Sequence, residues 1–486
     1  MNETSAHTHS DSHSWSQLAH TCPPKRSATE RVADFLEIYG PYDEVTAREQ
    51  ASRCLQCPEP MCVTGCPLGN RIPEWMLLTA EGQFLEAAAI SRSANNLAEI
   101  CARVCPKERL CEGTCILNGQ AEPVSIGAIE QFINEYAFAH GAVGATPMPP
   151  NGLRVAVVGS GPGGLACADE LLQRGYAVTV FDSRLVPGGL LVSGIPAFKL
   201  DRSIVHRRVQ LLERLGAVFR LGVTIGTDLT LSELREGFDA IFLGFGAQKA
   251  RSLEVPGADL PGVAQAISFI IQKSAQAPLD TATLEVAGKR VVVVGGGDTA
   301  MDCLRTAIRC GAREATCVYR RDESSMPCGR SEYENAVEEG ARFLFQAMPV
   351  AILDAGRGGV AGLRLVKTEL GALDATGRPS FAPQPGTDFE MEADLVVQAL
   401  GFNPVSFERC NDLRDIAISE TGGLVVDANR MTNIPGVFAG GDIVRGPSLV
   451  VSAVRDARRA AAGIHAYLFA RKVGDMGLSQ ADQFTP

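Results

Sequence analysis

Hydrophobic positions change their period twice along this chain, and each change predicts a different kind of structure. From residue 31 to 145 apolar residues recur at helical spacing, as in Phe84-Leu-Glu-Ala-Ala-Ala-Ile90 and in Ala28 to Gly40, with no run of strand-like alternation. Short helices are expected there. Gly141 to Gly152, with Pro147, Pro149 and Pro150, then marks a domain boundary. The apolar run Arg154-Val-Ala-Val-Val158 predicts a strand, followed by a glycine turn, a helix from about Gly163 to Arg174, and a strand Ala177-Val-Thr-Val-Phe181 ending at Asp182. The same order recurs at Arg290-Val-Val-Val-Val294, Gly295-Gly-Gly297-Asp298-Thr299-Ala300, a helix to about Cys310, and Ala315-Thr-Cys-Val-Tyr319.

Two βαβ units are therefore expected, in one duplicated architecture. Ala240-Ile-Phe-Leu-Gly-Phe-Gly246 and Leu395-Val-Val-Gln-Ala-Leu-Gly401 are apolar strands ending in glycine that bracket the second unit. The chain should leave the first domain near 247 and return near 402, with Val437-Phe-Ala-Gly-Gly-Asp442 completing it. The expected fold class is α/β, with two Rossmann-like dinucleotide-binding domains, one inserted in the other, preceded by a helical domain. The expected boundaries are a disordered leader at 1–30, the helical domain at 31–150, the first nucleotide domain at 151–248 and 403–486, and the second at 249–402.

Composition narrows the chemistry. A net charge of −11 on 486 residues argues against nucleic acid as a partner. No stretch of about 18 apolar residues is present, so no membrane span is expected. The first 20 residues lack a basic region followed by an apolar one, so no secretory signal is expected. Fifteen cysteines then read as reduced thiols and metal ligands in a cytoplasmic protein, not as disulfides. His7, His9, His13 and His20 lie in the polar leader, which is expected to be disordered and to take no part in catalysis, with adventitious metal binding as the alternative.

Eight of the cysteines fall in two quartets, Cys54-x2-Cys57-x4-Cys62-x3-Cys66-Pro67 and Cys101-x3-Cys105-Pro106-x4-Cys111-x3-Cys115. Zinc sites favour paired C-x2-C knuckles. Here x3 spacings dominate and cysteines such as Cys66 and Cys105 precede proline, as in ferredoxin-type ligand runs, so iron–sulfur clusters are the expected occupants. Cys167, Cys303, Cys310, Cys317, Cys328 and Cys410 read as small buried residues.

In the first βαβ unit, Gly159 permits a tight turn, Gly161 lets backbone N–H groups approach a pyrophosphate, and Gly164 lets helix pack on strand. Asp182 is placed for ribose hydroxyls, and Gly189 is a further expected cofactor contact. The second turn uses Gly295, Gly297, Asp298, Thr299 and Ala300. Its second strand ends in Arg320-Arg321 where an acid would repel a 2′-phosphate, so NADPH is the expected nucleotide. The bland alternative is that these arginines are only solvated charges. Gly441 and Asp442 open a turn and helix, as at the ribityl end of a flavin.

These motifs resemble one family closely, from about Pro24 to Leu468. The resembling stretches include Arg53-Cys-Leu-Gln-Cys57, Gly65-Cys-Pro67, Arg103-Val-Cys-Pro-Lys-Glu-Arg-Leu-Cys-Glu-Gly113, Gly194-Ile-Pro-Ala-Phe-Lys199, Gly295-Gly-Gly-Asp-Thr-Ala-Met-Asp302, Tyr319-Arg-Arg-Asp-Glu323 and Gly440-Gly-Asp-Ile-Val-Arg-Gly446. The chain resembles the small (beta) subunit of bacterial NADPH-dependent glutamate synthase. The resemblance implies FAD in the first nucleotide domain, NADPH in the second and two 4Fe–4S clusters. It also implies hydride transfer to flavin, then single electrons to a large (alpha) subunit that makes glutamate from glutamine and 2-oxoglutarate. No side chain is expected to act as acid, base or nucleophile, because hydride transfer depends on stacking geometry.

By likeness to the related module of dihydropyrimidine dehydrogenase, Cys62, Cys66, Cys111 and Cys115 would hold one cluster, and Cys54, Cys57 and Cys105 the other. The fourth ligand is left between Cys101 and Glu130. Two other classes stay open, a relay serving a different acceptor and a zinc-stabilised scaffold without redox function.

Overall fold

The structure, a computed structural model, describes residues 18–144, 148–247, 249–273, 284–356, 358–374, 377–403 and 413–481. Two compact units divide the chain, Met1–Lys25 with Tyr39–Gly144, and Arg26–Ile38 with Ala145–Pro486.

The first unit is helical. Helices Glu44–Ala51, Met61–Gly65, Ile72–Glu81, Phe84–Ala94, Ala98–Val104 and Ile126–Ala139 enclose a core of Trp75, Met76, Ala87, Ile129 and Ile133. Asp43 starts the first of these by accepting from the Thr46 N–H, and Gly82, at φ 84°, ends the third. The cysteines of the motifs sit at the rim of this core, most of them half-buried.

Two expectations need correction here. The leader is not disordered throughout. The Gln50 side chain donates to Ala19 O and accepts from Thr21 N, at 3.0 and 3.1 Å, Tyr42 Oη donates to Thr21 O, and His20 Nε2 lies 2.7 Å from Ser125 Oγ. Backbone groups that find such partners are held, whatever the polarity of their own side chains. His7, His9 and His13 lie outside the described residues. Nor is Ala28–Gly40 a helix of the helical domain: only Ala28–Arg31 is helical, capped by Ser27 and Glu30, and residues 26–38 pack with the second unit.

That second unit is built on two parallel sheets. One runs Val437–Ala439, Ala240–Leu243, Arg154–Val158, Ala177–Asp182, Val218–Leu221 in spatial order. The other runs Val263–Gln265, Leu395–Gln398, Arg290–Val294, Glu314–Tyr319, Arg342–Phe345. The central strands Arg154–Val158, Ala240–Leu243, Arg290–Val294 and Leu395–Gln398 are buried on both faces over most of their length, which explains why they read as near-continuous apolar runs. A short antiparallel ribbon, Lys249–Ala250 against Phe402–Asn403, joins the outgoing and returning chain between the two lobes. A four-stranded antiparallel sheet, formed by Ala347–Asp354, Val360–Leu373, Pro379–Pro383 and Phe389–Glu392, adds to the second lobe. The last helix, Val450–Ala481, packs on helix Pro162–Gln173.

Residues 26–38 are anchored by charge. Arg31, 1% exposed, donates from Nε to Glu339 Oε1 at 2.8 Å and from Nη2 to Glu338 Oε2 at 2.7 Å. Arg305 and Arg309 meet the same buried Glu339, with Arg305 Nε 3.0 Å away. Burial would raise the Glu339 carboxyl, but Arg309 and Arg305 hold it at about 2, against 4.5 when exposed. A carboxyl lowered by folding contributes stability above its unfolded value, and that contribution is lost as pH falls from about 4.5 towards 2. The difference is worth about 3 kcal/mol. Glu339→Gln should cost about 3–5 kcal/mol at neutral pH, because three guanidiniums lose their shared anion. It should also flatten the acid limb of stability, which urea unfolding at pH 7 and pH 3 would measure.

Candidate cofactor sites

In the helical unit, Cys54, Cys57, Cys62 and Cys115 line one apolar cavity with Pro60, Met61, Ile72 and Met76. Burial, with Cys54, Cys115 and Cys57 as crowding neighbours, pushes the Cys62 thiol up to about 12. Cys54 rises to about 11, again from burial, with Cys57 and Cys115 adding and the Gln56 N–H opposing. The remaining four cysteines gather apart. The Cys105 thiol is raised by a hydrogen bond to Cys101, by burial and by Glu130. Burial also raises Cys111 and Cys66; Cys105 and Glu130 crowd both, and Cys66 crowds Cys111. Such thiols give up their protons only to a metal that takes their charge, which makes metal loading pH-dependent.

The grouping therefore differs from the expected one. Cys62 and Cys115 belong with Cys54 and Cys57, and Cys66 and Cys111 with Cys101 and Cys105. Four residues apart on a continuing helix, Cys62 and Cys66 would share a face, but the helix ends at Gly65 and Cys66 is extended, at φ −84° and ψ 123°. Glu130 stands in the field of Cys66, Cys105 and Cys111 together. Its Oε1 accepts from Asn70 Nδ2 and Ser91 Oγ, each at 2.9 Å, and burial pushes it up to about 7. Among the described residues no three such groups close around a single metal ion.

The first nucleotide turn is shaped by contact. Gly159 has φ +99°, and a Cβ on Gly164 would lie 1.8 Å from Gly159 O, so helix Pro162–Gln173 can start here only on glycine. Nothing lies within 4 Å of where a Cβ on Gly161 would point, which leaves room over the helix N-terminus for a pyrophosphate. Gly189 packs directly against Gly161. Asp182 turns back on the motif: its Oδ2 accepts from Ser160 N at 2.7 Å and Ser160 Oγ at 2.6 Å, and its Oδ1 from Arg184 N at 2.9 Å. Ser160, the variable position of the fingerprint, is the residue that sequence reasoning passed over. Its Oγ also accepts from Gly188 N at 3.1 Å, so it couples both glycine turns.

Beyond the edge strand Val437–Ala439 of the same sheet, Gly441, at φ +79°, and Asp442 form the turn before helix Asp442–Arg445; Gly441 and Gly163 of the first turn both approach Ala453. Asp442 Oδ1 is buried with no hydrogen-bond partner, and burial pushes its carboxyl up to about 7. An orphaned buried acceptor fits the hydroxyls of a flavin's ribityl chain, which would satisfy it.

The second turn has the same form. Gly295 N donates to Val318 O, space is open over Gly297, and Ala300 is fully buried in helix Asp298–Arg309, with Thr299 in its first turn. Asp298 Oδ1 accepts from Gly329 N at 2.8 Å, closing the loop 326–329 onto the turn. The two arginines have different surroundings. Arg320 is exposed and stacks 4.2 Å over Phe381. Arg321 is buried, and its Nε donates to Pro379 O at 2.6 Å while Nη2 lies 3.6 Å from Asp374. Cys167, Cys303, Cys317 and Cys328 are buried, Cys310 is half-buried, and Cys410 lies outside the described residues. No helix among the described residues is long and apolar enough to cross a membrane.

Two family patterns match the chain, dihydropyrimidine dehydrogenase domain II, 4Fe-4S cluster, over residues 31–142, and pyridine nucleotide-disulphide oxidoreductase over residues 153–457. Among solved structures, FprA of Mycobacterium tuberculosis in complex with NADPH shares the fold, with a TM-score of 0.57 at 23% identity over 69% of this chain and 89% of that one. With the twin nucleotide turns and the gathered cysteines, these define an NADPH-dependent flavin and iron–sulfur oxidoreductase. Glutamate synthase [NADPH] small chain of Azospirillum brasilense is 46% identical over 93% of this chain and 95% of its own length, and that of Escherichia coli K12 is 42% identical over 92% and 96%. The chain belongs to the glutamate synthase small-chain family.

Proposed function

We propose that FAD lies across the turn at Gly159–Gly164 and Asp442, that NADPH lies on the turn at Gly295–Ala300, and that two 4Fe–4S clusters occupy the two cysteine groups. Bound there, these groups supply the conversion of a hydride into single electrons. The chain's own part is to bind and to orient. The two helix N-termini face the pyrophosphates, Arg320 faces the 2′-phosphate, and Asp442 accepts from the ribityl hydroxyls. Glu130 is the fourth ligand of the second cluster, since it crowds Cys66, Cys105 and Cys111 together, whereas Cys101 is engaged in a hydrogen bond with Cys105. The electrons pass to a large subunit that makes glutamate from glutamine and 2-oxoglutarate.

The observation that carries this reading is the sorting of eight cysteines into two groups of four in a chain that also holds two nucleotide turns. Protein purified under anaerobic conditions should contain about one FAD and eight irons with matching labile sulfide. Two zinc ions without sulfide would refute it. A second reading changes only the acceptor. Putative oxidoreductase AegA of Escherichia coli is also 42% identical, over 93% of this chain and 70% of its own length, so identity alone does not select the acceptor. Isolation of a large amidotransferase-synthase subunit in complex with this chain favours the first reading; its absence from a native complex favours the second.

A further inference from the structure

Around helix Asp298–Arg309 lies a set of buried charges that the hydride relay does not use. Asp298, Asp302, Arg305 and Arg309 follow one face of it, spaced four, three and four residues apart. Asp298 opens the helix at the second nucleotide turn, so this face leads from that turn into the body of the protein. Lys199 of the first lobe reaches it. Its Nζ lies 3.0 Å from Asp302 Oδ1, off the hydrogen-bond axis, and 3.5 Å from Glu332 Oε1. Glu332 also accepts from Arg305 Nη1, at 2.7 Å. Beside Lys199, the fully buried Phe198 ring carries Arg305 at 4.4 Å and Arg309 at 4.1 Å. Both arginines run on to Glu339, which Arg31 closes from residues 26–38.

The charges are balanced across four segments of chain. Arg31, Lys199, Arg305 and Arg309 face Asp302, Glu332, Glu338 and Glu339. Residues 26–38 bind the Phe198–Asp201 segment directly as well: Ile38 N donates to Phe198 O at 3.2 Å and Asp201 N to Glu37 Oε1 at 2.9 Å. Burial would lower the Lys199 ammonium, but the carboxylates of Asp302, Glu332 and Asp298 outweigh it and hold the charge in place. A matched buried network tolerates little displacement, because moving one member strands another without a partner. Where the chain crosses between the two lobes it forms a ribbon of two residues on each strand, which by itself would permit rotation.

We propose that Lys199, with Phe198 and residues 26–38, is an ionic clamp that fixes the nucleotide-binding helix of the second lobe against the first lobe, and so sets the distance between the two nucleotides. Lys199 is a positioning residue, since it touches the helix and no reacting atom. The proposal rests on FAD in the first lobe and NADPH in the second. Hydride transfer is steep in distance, and a displacement near 1 Å costs on the order of 100-fold.

The test uses the full-length, flavin-loaded protein, with flavin reduction followed after anaerobic mixing with NADPH. Lys199→Met should lower the limiting rate about 10- to 100-fold while flavin content and NADP⁺ affinity stay near wild type, a loss made only at the reacting geometry. Amide exchange at Ile38 and Asp201 should quicken, and Lys199→Arg should restore most of the rate. A wild-type limiting rate in flavin-loaded Lys199→Met overturns the proposal. So does a loss of NADP⁺ affinity equal to the loss of rate, which would make Lys199 a nucleotide contact. If Lys199→Met does not hold flavin, Glu332→Gln carries the test, because it leaves the Lys199–Asp302 and Arg305–Glu339 pairs intact. It should give a smaller fall in limiting rate at unchanged NADP⁺ affinity, and a wild-type rate there overturns the clamp. Failure of NADPH to reduce the wild-type protein would instead refute the cofactor placement, before any variant is made.

Discussion

Cys57→Ser and Cys115→Ser each remove about four of the eight irons expected of two clusters, and the double variant removes no more than either alone. Cys57→Ser with Cys111→Ser removes about eight. That pattern follows from Cys115 standing with Cys54, Cys57 and Cys62 in one cavity while Cys111 stands with Cys66 and Cys105. Under the grouping expected by likeness to the dihydropyrimidine dehydrogenase module, Cys57 and Cys115 would lie in different clusters, and their double variant would lose both. Iron and labile sulfide, counted on anaerobic protein, separate the two. In each single variant NADPH should still bleach the flavin and a small dye should still take its electrons, because hydride transfer occurs in the nucleotide lobes. Delivery to the large subunit, and glutamate formation with it, should fail. Glutamate synthesis at the wild-type rate in a cluster-deficient protein would take these cysteines off the route. Should the helical unit lose its fold with its metal, proteolysis within residues 39–144 would reveal it.

Arg320→Ala should weaken NADPH binding roughly tenfold to hundredfold and leave NADH nearly untouched, the loss of one charge-assisted pairing of about 1.5–3 kcal/mol. Arg321→Ala should behave differently. Its guanidinium is committed to Pro379 O and stands beside Asp374, so its removal takes a charged donor from a half-buried carbonyl, at a cost of about 1 kcal/mol in stability. NADPH and NADH should then suffer alike. Titration of both nucleotides against both variants, with thermal unfolding alongside, decides between them. Equal loss of NADPH and NADH in Arg320→Ala would show that neither arginine reads the phosphate.

The two arginines show why adjacent residues at a strand end cannot be assigned one role from sequence. Both follow the end of strand Glu314–Tyr319 and both lie over the Phe381 ring, at 4.2 and 5.3 Å; what separates them is the pairing of Arg321 with Pro379 O and Asp374 of the antiparallel sheet at residues 347–392, whose strand Val360–Leu373 is irregular in register against its neighbours. Its apolar positions follow no single period, so its presence was not legible. Residues 26–38 were misplaced for a related reason: their apolar spacing is helical, but Arg31 finds its counter-charges more than 300 residues away.

By itself the sequence determined the parts governed by neighbours along the chain. Both strand–turn–helix–strand units are local: the glycine turn, the small residue at the helix start and the apolar strands lie within about 30 residues and specify one another through backbone sterics. The two cysteine runs were legible for the same reason, as was the excursion of the chain through a second lobe. Only the tertiary structure decided which cysteines gather together, which arginine is left exposed, and where residues 26–38 belong. Each of those depends on one helix ending, one face being covered or one buried charge finding its partner. Such choices are made by the packing of segments far apart in the chain, where burial and charge balance outweigh local spacing.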